Sequence, residues 1–145
     1  MKLELGCGTA PTPGYVHHDR WRHAPHVEVE HDLNVLPWPW PDGSCAEILG
    51  LDVFEHLRLM PEEWLRECHR LLRPGGVLRL RVPLFGSPWH VIDPTHVRGF
   101  HPLNFAYFVR GQEYHKRYGH FYFDFAFSGG EAHVEEHNVV VRLVK

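Results

Sequence analysis

Apolar and polar positions alternate over short stretches along most of this chain, and one stretch carries a helical period. Leu3-Glu4-Leu5 runs straight into Gly6-Cys7-Gly8, which predicts a short strand and a tight turn. Tyr15 to Asp19 and Val27 to Asp32 read as two further short strands, each ending in an acid. Cys45 to Leu51 has the apolar content of a buried central strand, with Asp52, Glu55 and His56 at its exit. From Pro61 to Leu72 the residues Trp64, Leu65, Cys68, Leu71 and Leu72 fall on one stripe. Pro61, Glu62 and Glu63 at its start, and His69 and Arg70 near its end, complete the signature of an amphipathic helix. Pro74-Gly75-Gly76 stops that helix, and Val77 to Val82 follows as a strand with Leu78, Leu80 and Val82 on one face and Arg79 and Arg81 on the other.

The connections are unusual. Six residues, including Pro11 and Pro13, separate Gly8 from Tyr15. A parallel crossover normally takes about a dozen or more, so the helix expected there is reduced to a loop. Residues 84–117 are aromatic, rich in histidine and punctuated by Pro88, Pro94 and Pro102, a lid or insertion with one short helix near Asn104 to Val109. Phe121 to Phe127 alternates with four phenylalanines on one face, and Ser128-Gly129-Gly130 reads as a turn toward Val134 to Val144. This predicts a terminal antiparallel hairpin whose phenylalanines pack the core rather than line a substrate wall. The sum is one α/β domain over residues 1–145.

Composition narrows the function classes. With 43% hydrophobic and 23% charged residues the chain is an ordinary globule, and no apolar run reaches the length of a membrane span. The first residues enter a strand without a basic and apolar leader, so a cytoplasmic location and no membrane partner are expected. Cys7, Cys45 and Cys68 form no Cys-x-x-Cys pair, which argues against a disulfide framework and a cysteine zinc site. A net charge of −3 leaves nucleic acid unsupported as a partner. The 14 histidines would carry that charge well into the positive range on protonation, which predicts changed solubility near pH 6 to 6.5.

Three strands end in or near Glu4, Asp19 and Asp32, and ligands of open α/β sheets bind beyond the carboxyl ends of strands. Acids also favour such ends because they cap turns. Gly6-Cys7-Gly8-Thr9-Ala10-Pro11 lacks the third glycine and the helix that a dinucleotide's pyrophosphate requires, so a nicotinamide cofactor is disfavoured. Farther on, His90, Asp93 and His96 are candidates to deprotonate a nucleophile, as is His56, although Asp93 would also cap the turn at Pro94. His90-x-x-Asp93-x-x-His96 has ligand-like spacing but closes no compact set, so no metal site is expected.

Taken in order, Leu3-Glu4-Leu5-Gly6-Cys7-Gly8, Asp19, His31-Asp32-Leu33, Leu36-Pro37-Trp38-Pro39, Asp42-Gly43-Ser44, Glu55-His56-Leu57 and Leu72-Arg73-Pro74-Gly75-Gly76 resemble the class I S-adenosylmethionine-dependent methyltransferase family. The likeness covers residues 1 to about 83, as in a short, minimal member. It implies a Rossmann-like, mostly parallel sheet with abbreviated helices and a C-terminal antiparallel hairpin. It divides the chain into a cofactor-binding half over 1–83, a lid or substrate insertion over 84–117 and a hairpin over 118–145. The cofactor implied is S-adenosylmethionine, with Glu4, Gly6, Cys7 and Gly8 around its methionine part, Asp19 on the ribose and Asp32 and Leu33 at the adenine. Arg20 and Asp52 complete that set.

The activity implied is direct displacement of the methyl group by an oxygen or nitrogen of a small molecule, with His56, His90, Asp93 and His96 as candidates for the base. A second reading is a non-catalytic or partner-dependent subunit, or a homodimer, using the Arg79/Arg81 face or the Trp38/Trp40 loop as interface. A third is an interaction protein whose histidines bind metal.

Overall fold

The computed structural model describes residues 1–145. Its centre is a seven-stranded sheet. Five strands run parallel: β1 (Lys2–Leu5), β2 (Val16–Asp19), β3 (Val29–Glu30), β4 (Cys45–Leu51) and β5 (Leu72–Pro83). A hairpin of β6 (Gly129–Glu135) and β7 (Asn138–Val144) joins them antiparallel, giving the order β3-β2-β1-β4-β5-β7-β6. The helices are α1 (Pro61–Leu71), α2 (Pro88–Ile92), α3 (Pro102–Ala106) and α4 (His120–Tyr122). The expected mostly parallel α/β architecture with abbreviated helices is what forms.

Helix α1 holds because its apolar stripe buries Trp64, Leu65, Cys68 and Leu71, while the Glu63 carboxylate accepts the Met60 backbone N–H. It packs on the face carrying Leu3, Leu5, Ile48, Leu78, Leu80, Val82, Val139, Val141 and Leu143, all within one buried cluster. The opposite face is polar. Glu47 accepts the Tyr15 hydroxyl at 2.6 Å and pairs with Lys2 and Arg79, and Arg81 pairs with Asp52. Arg79 and Arg81 therefore sit on a wet face, each with a carboxylate.

Several expectations need correction. The strand read from Val27 to Asp32 is two residues long; Glu28 beside it ties to His17 twice, its N–H donating to the His17 carbonyl and its carboxylate accepting the His17 N–H, both at 2.9 Å. Strand β5 begins at Leu72, directly after the helix, and Pro74-Gly75-Gly76 bulges between the Cys45↔Leu72 and Glu47↔Val77 pairs. The short helix starts at Pro102 and ends at Ala106, two residues earlier than expected at its start, because the His101 ring and the Asn104 amide cap it there. Phe121 to Phe127 is not a strand of the hairpin. Phe123 and Phe125 pack on Phe108 with ring centroids 4.3 and 5.7 Å away, and Phe127 is wholly buried. Gly129 and Gly130 lie inside β6, where a Cβ on Gly130 would come 2.5 Å from the Arg142 carbonyl oxygen. The reversal falls at Glu136-His137, with Glu136 at φ 53°.

The Trp38/Trp40 loop is also not an exposed interface. Trp38 is 2% exposed, its ring N–H donates to the Leu33 carbonyl at 3.0 Å, and Arg70 braces the carbonyls of both tryptophans.

Where loops replace helices, carbonyl groups lose their helical donors, and imidazoles serve many of them. His17 meets the Thr12 carbonyl, His26 that of Gly8, His31 that of Val35 and His115 that of Tyr107, at 2.8 to 2.9 Å. No helix is long and apolar enough to cross a membrane.

Candidate functional site

The carboxyl ends of β1, β2 and β4 converge on the Gly6 turn. Gly6 adopts φ 65°, and a Cβ there would sit 2.5 Å from Val53 Cγ2, so glycine alone lets the turn lie against the bend after β4. Asp19 fastens the turn, accepting the Gly8 N–H at 2.8 Å and the Arg20 N–H at 2.6 Å. Arg20 reaches across to Asp32 at 3.0 Å. Asp32 also accepts the Asn34 backbone and side-chain N–H groups, and these bonds hold its carboxyl below the usual range. Gly6, Asp19, Arg20, Asp32 and Leu33 line one cavity of about 140 Å³, together with His56. Cys7 is buried, and its thiol is pushed up to about 11 by burial and by Asp19 and Glu4, which makes it packing rather than a nucleophile.

Glu4 bonds to its own chain. Its carboxylate accepts the Thr12 N–H at 2.8 Å and the Thr12 hydroxyl at 2.6 Å, with His17 at 3.6 Å. It pins the loop that stands in for the missing helix. Asp52 lies in a neighbouring cleft with Arg81.

His18 supports the turn from beneath and is 1% exposed. Its Nδ1 accepts the Gly6 N–H at 3.4 Å and its Nε2 donates to the His31 carbonyl at 2.9 Å, an arrangement that exists only for the neutral ring. Burial lowers its pKa against the opposing pull of the His31 carbonyl and Asp19, while the His31 ring adds to the lowering. In the unfolded chain the ring protonates near pH 6.5. Below that pH the unfolded state binds more protons than the folded state, so stability is lost as pH falls from about 6.5 toward the lower folded value. Melting curves between pH 5 and 8 are expected to show this acid slope in the wild type and a shallower one in His18→Gln.

A second group gathers beside Val53. His56 Nδ1 lies 3.0 Å from Thr95 Oγ1, and Thr95 bonds Asp93 through its hydroxyl at 2.6 Å and its N–H at 2.8 Å. Burial and the neighbouring His96 lower the His56 pKa, and the Thr95 bonds lower that of Asp93. The His56 and His96 rings are 4.7 Å apart between centroids. Glu55 is fully buried, and burial pushes its carboxyl up to about 8. His90 contributes its backbone: its carbonyl meets His96 Nδ1 at 3.2 Å, while its own ring accepts the Gly86 N–H and packs on Phe85.

Of the four residues expected at the chemistry, His56, Asp93 and His96 line one cleft of about 660 Å³, shared with Glu55, Asp52 and Trp89. A further cleft of about 680 Å³ joins His56 and His96 to Arg20 and Asp32. His56 thus borders the small cavity and both clefts. Sequence reading passed over Thr95, Val53 and Glu55 as site residues. The adjacent Glu55-His56 pair was the available signal for the last of these.

Residues 18–80, from β2 into β5, match the family described as a methyltransferase domain. The chain is 38% identical over 87 residues to a Mycolicibacterium smegmatis protein described as a probable S-adenosylmethionine-dependent methyltransferase, covering 57% of this chain and 33% of that one. A Mycobacterium tuberculosis protein of the same description is 37% identical, with 57% and 31% covered. The chain spans about a third of the length of these curated relatives.

Among solved structures, a SAM-dependent methyltransferase from Archaeoglobus fulgidus superposes with a TM-score of 0.67 at 14% identity, covering 99% of this chain and 85% of that one. The trans-methyltransferase CalH, complexed with SAH, gives 0.60 at 17%, with 99% and 50% covered. A complex of a methyltransferase with the Haloferax volcanii Trm112 activator gives 0.62 at 11%, with 99% and 81% covered. The chain shares its fold with these solved SAM-dependent methyltransferases, and residues 18–80 carry the match to a methyltransferase domain.

Proposed function

We propose that this domain binds S-adenosylmethionine along the Gly6-Asp19-Asp32 edge and passes its methyl group to an oxygen or nitrogen of a small molecule held in the Asp52/Asp93 cleft. The observation that carries this reading is the position of His56 between the cofactor-side cavity and that cleft. The donor set suits the cofactor. Asp19 and Asp32 offer carboxylate oxygens to hydroxyl and ammonium groups, and a ligand without phosphate loses nothing where the first crossover helix is a loop. When bound, the cofactor supplies an electrophilic methyl carbon on a sulfonium leaving group.

The chain's own residues orient the acceptor and remove its proton. Thr95 fixes the His56 ring through Nδ1, which leaves Nε2 free to take a proton, and residues 84–117 supply the acceptor side through Asp93, Thr95 and His96. Holding the two reactants in line contributes up to about 7 to 11 kcal/mol to the barrier reduction.

Calorimetric titration with S-adenosylhomocysteine tests the cofactor half. Asp32→Ala is expected to weaken binding about 10- to 100-fold, the value of one or two hydrogen bonds to a charged group. Absence of binding at millimolar ligand in the folded protein would remove the reading.

A partner-dependent form of the same reading is favoured by one surface. Phe85, Trp89, Val91 and Ile92 are 54% to 70% exposed on and beside α2. A companion subunit seated there would cover them and close the acceptor cleft, which Trp89 and Ile92 already line.

A further inference from the structure

The group around Glu55 holds more acceptor atoms than donors. Thr95 has one hydroxyl proton, and at 2.6 Å from Asp93 Oδ1 it is given to that carboxylate. The bond between Thr95 Oγ1 and His56 Nδ1, at 3.0 Å, must then take its proton from the ring. His96 Nδ1 lies 3.2 Å from the His90 carbonyl oxygen, which can only accept, so that ring is also protonated on Nδ1. Both rings therefore carry their lone pairs on Nε2.

Carboxylate oxygens face the same region. Glu55 Oε1 is 3.8 Å and Asp93 Oδ2 is 3.7 Å from His96 Nε2. The Glu55 side chain is 1% exposed, and neither of its oxygens has a hydrogen-bond partner. A buried carboxyl group without a partner is costly, and here its Oε1 faces the His96 lone pair. One candidate ligand atom each from Glu55, His56 and His96 lies within 4.8 Å of the others.

We propose that Glu55, His56 and His96 form a binding site for a divalent first-row transition metal, represented by Zn²⁺. Two imidazole nitrogens and one carboxylate are a donor set that selects such ions over Mg²⁺ or Ca²⁺, which take oxygen. Bonds of about 2.1 Å place opposed ligands no more than about 4.2 Å apart, so a small rotation of the side chains closes the set. Thr95 and the His90 carbonyl hold the rings by Nδ1, the usual outer support of metal-bound histidine.

The site opens on the cleft of about 660 Å³, so coordination positions remain for an oxygen of a bound molecule. Resting on the methyl-transfer reading, the metal would receive the acceptor's hydroxyl oxygen and lower its pKa by direct coordination, with the proton passing to solvent. With the metal bound, the His56 lone pair is a ligand and the metal does the activating; without it, the same lone pair is the base of the reading above.

The test uses the full chain, stripped with chelator and titrated calorimetrically with zinc chloride in the absence of any methyl donor. Cobalt chloride serves as an absorbing substitute. One equivalent is expected to bind, with visible cobalt bands of a four- or five-coordinate site. Glu55→Gln and His96→Ala are each expected to weaken binding by at least about 100-fold, and Thr95→Val by about 10- to 100-fold. The double variant His23→Ala/His26→Ala, whose rings meet the Gly8 carbonyl instead, is expected to leave the affinity unchanged, which separates the site from general binding by histidines.

Glu55→Gln preserves shape, and its melting curve verifies that lost binding is not lost folding. Failure to take up one equivalent would overturn the proposal, as would binding that survives both Glu55→Gln and His96→Ala. Titration of the same samples with S-adenosylhomocysteine separates the two readings. Cofactor uptake without zinc uptake defeats the metal alone, and zinc uptake without cofactor uptake upholds the metal site while defeating the transferase.

Discussion

Replacing His56 with alanine is expected to lower the methyl-transfer kcat by about 100- to 10,000-fold, the range spanned by loss of a positioned proton acceptor. The expectation follows from geometry. His56 is the one side chain bordering the cavity of Asp19 and Asp32 and both adjoining clefts, so any group moving between cofactor and acceptor passes it. Its ring is held by Thr95 through Nδ1, and its remaining nitrogen is available as base or as ligand. The loss should fall on kcat, with a much smaller change in affinity for S-adenosylhomocysteine, because the proposed reading gives the cofactor to the Gly6-Asp19-Asp32 edge and not to His56. Release of S-adenosylhomocysteine, measured with a panel of small phenols, alcohols and amines, checks the rate, and calorimetry checks the affinity. An unchanged kcat would remove His56 from the chemistry.

Trp64→Ala is expected to cost about 3 to 5 kcal/mol of stability, as for other large aromatic truncations in a core. Trp64 is wholly buried, with its ring centroid 4.4 Å from Phe54 and 6.2 Å from Phe100. It joins α1 to the turn that carries Glu55 and His56, so the lost volume lies directly behind the site. Its ring N–H is buried without a partner, so Trp64→Phe removes an unsatisfied donor along with some volume and should cost considerably less. For a chain of this size the alanine variant should melt roughly 6 to 20 °C lower. Urea unfolding of the three proteins gives the order directly, and an alanine variant as stable as the phenylalanine one would contradict it.

Much of the architecture is legible in the chain because local and tertiary preferences agree. The period from Pro61 to Leu71 fits one buried stripe, and the acids after the short strands mark the edge where the crevice opens. Alternation misleads at Phe121 to Phe127, since a pleated pattern states which residues seek cover and not whether a strand or an aromatic cluster provides it. The bonds of Glu4 are hidden for a related reason. The chain returns Thr12 to this strand-end carboxylate, and nothing local announces that return. The second sequence reading makes the Trp38/Trp40 loop an interface, yet Glu67 and Arg70 of α1 satisfy its backbone and draw it under. Glu55 had no visible partner in sequence because the His96 that faces it is brought back by residues 84–117.

The imidazoles that serve loop carbonyls give the histidine content of this chain a structural reading. A ring that donates to a carbonyl takes the place of a helical N–H, so His17, His26, His31 and His115 each tie a loop that has no ladder of its own. Three other rings work in the opposite sense and accept a backbone N–H: His18 from Gly6, His90 from Gly86 and His101 from Leu103. The histidines are therefore dispersed knots in the chain rather than one cluster. One of the accepting rings lies under the Gly6 turn and another holds the segment leading to His96, so the shape of the crevice depends on these knots as much as on the strands beneath it.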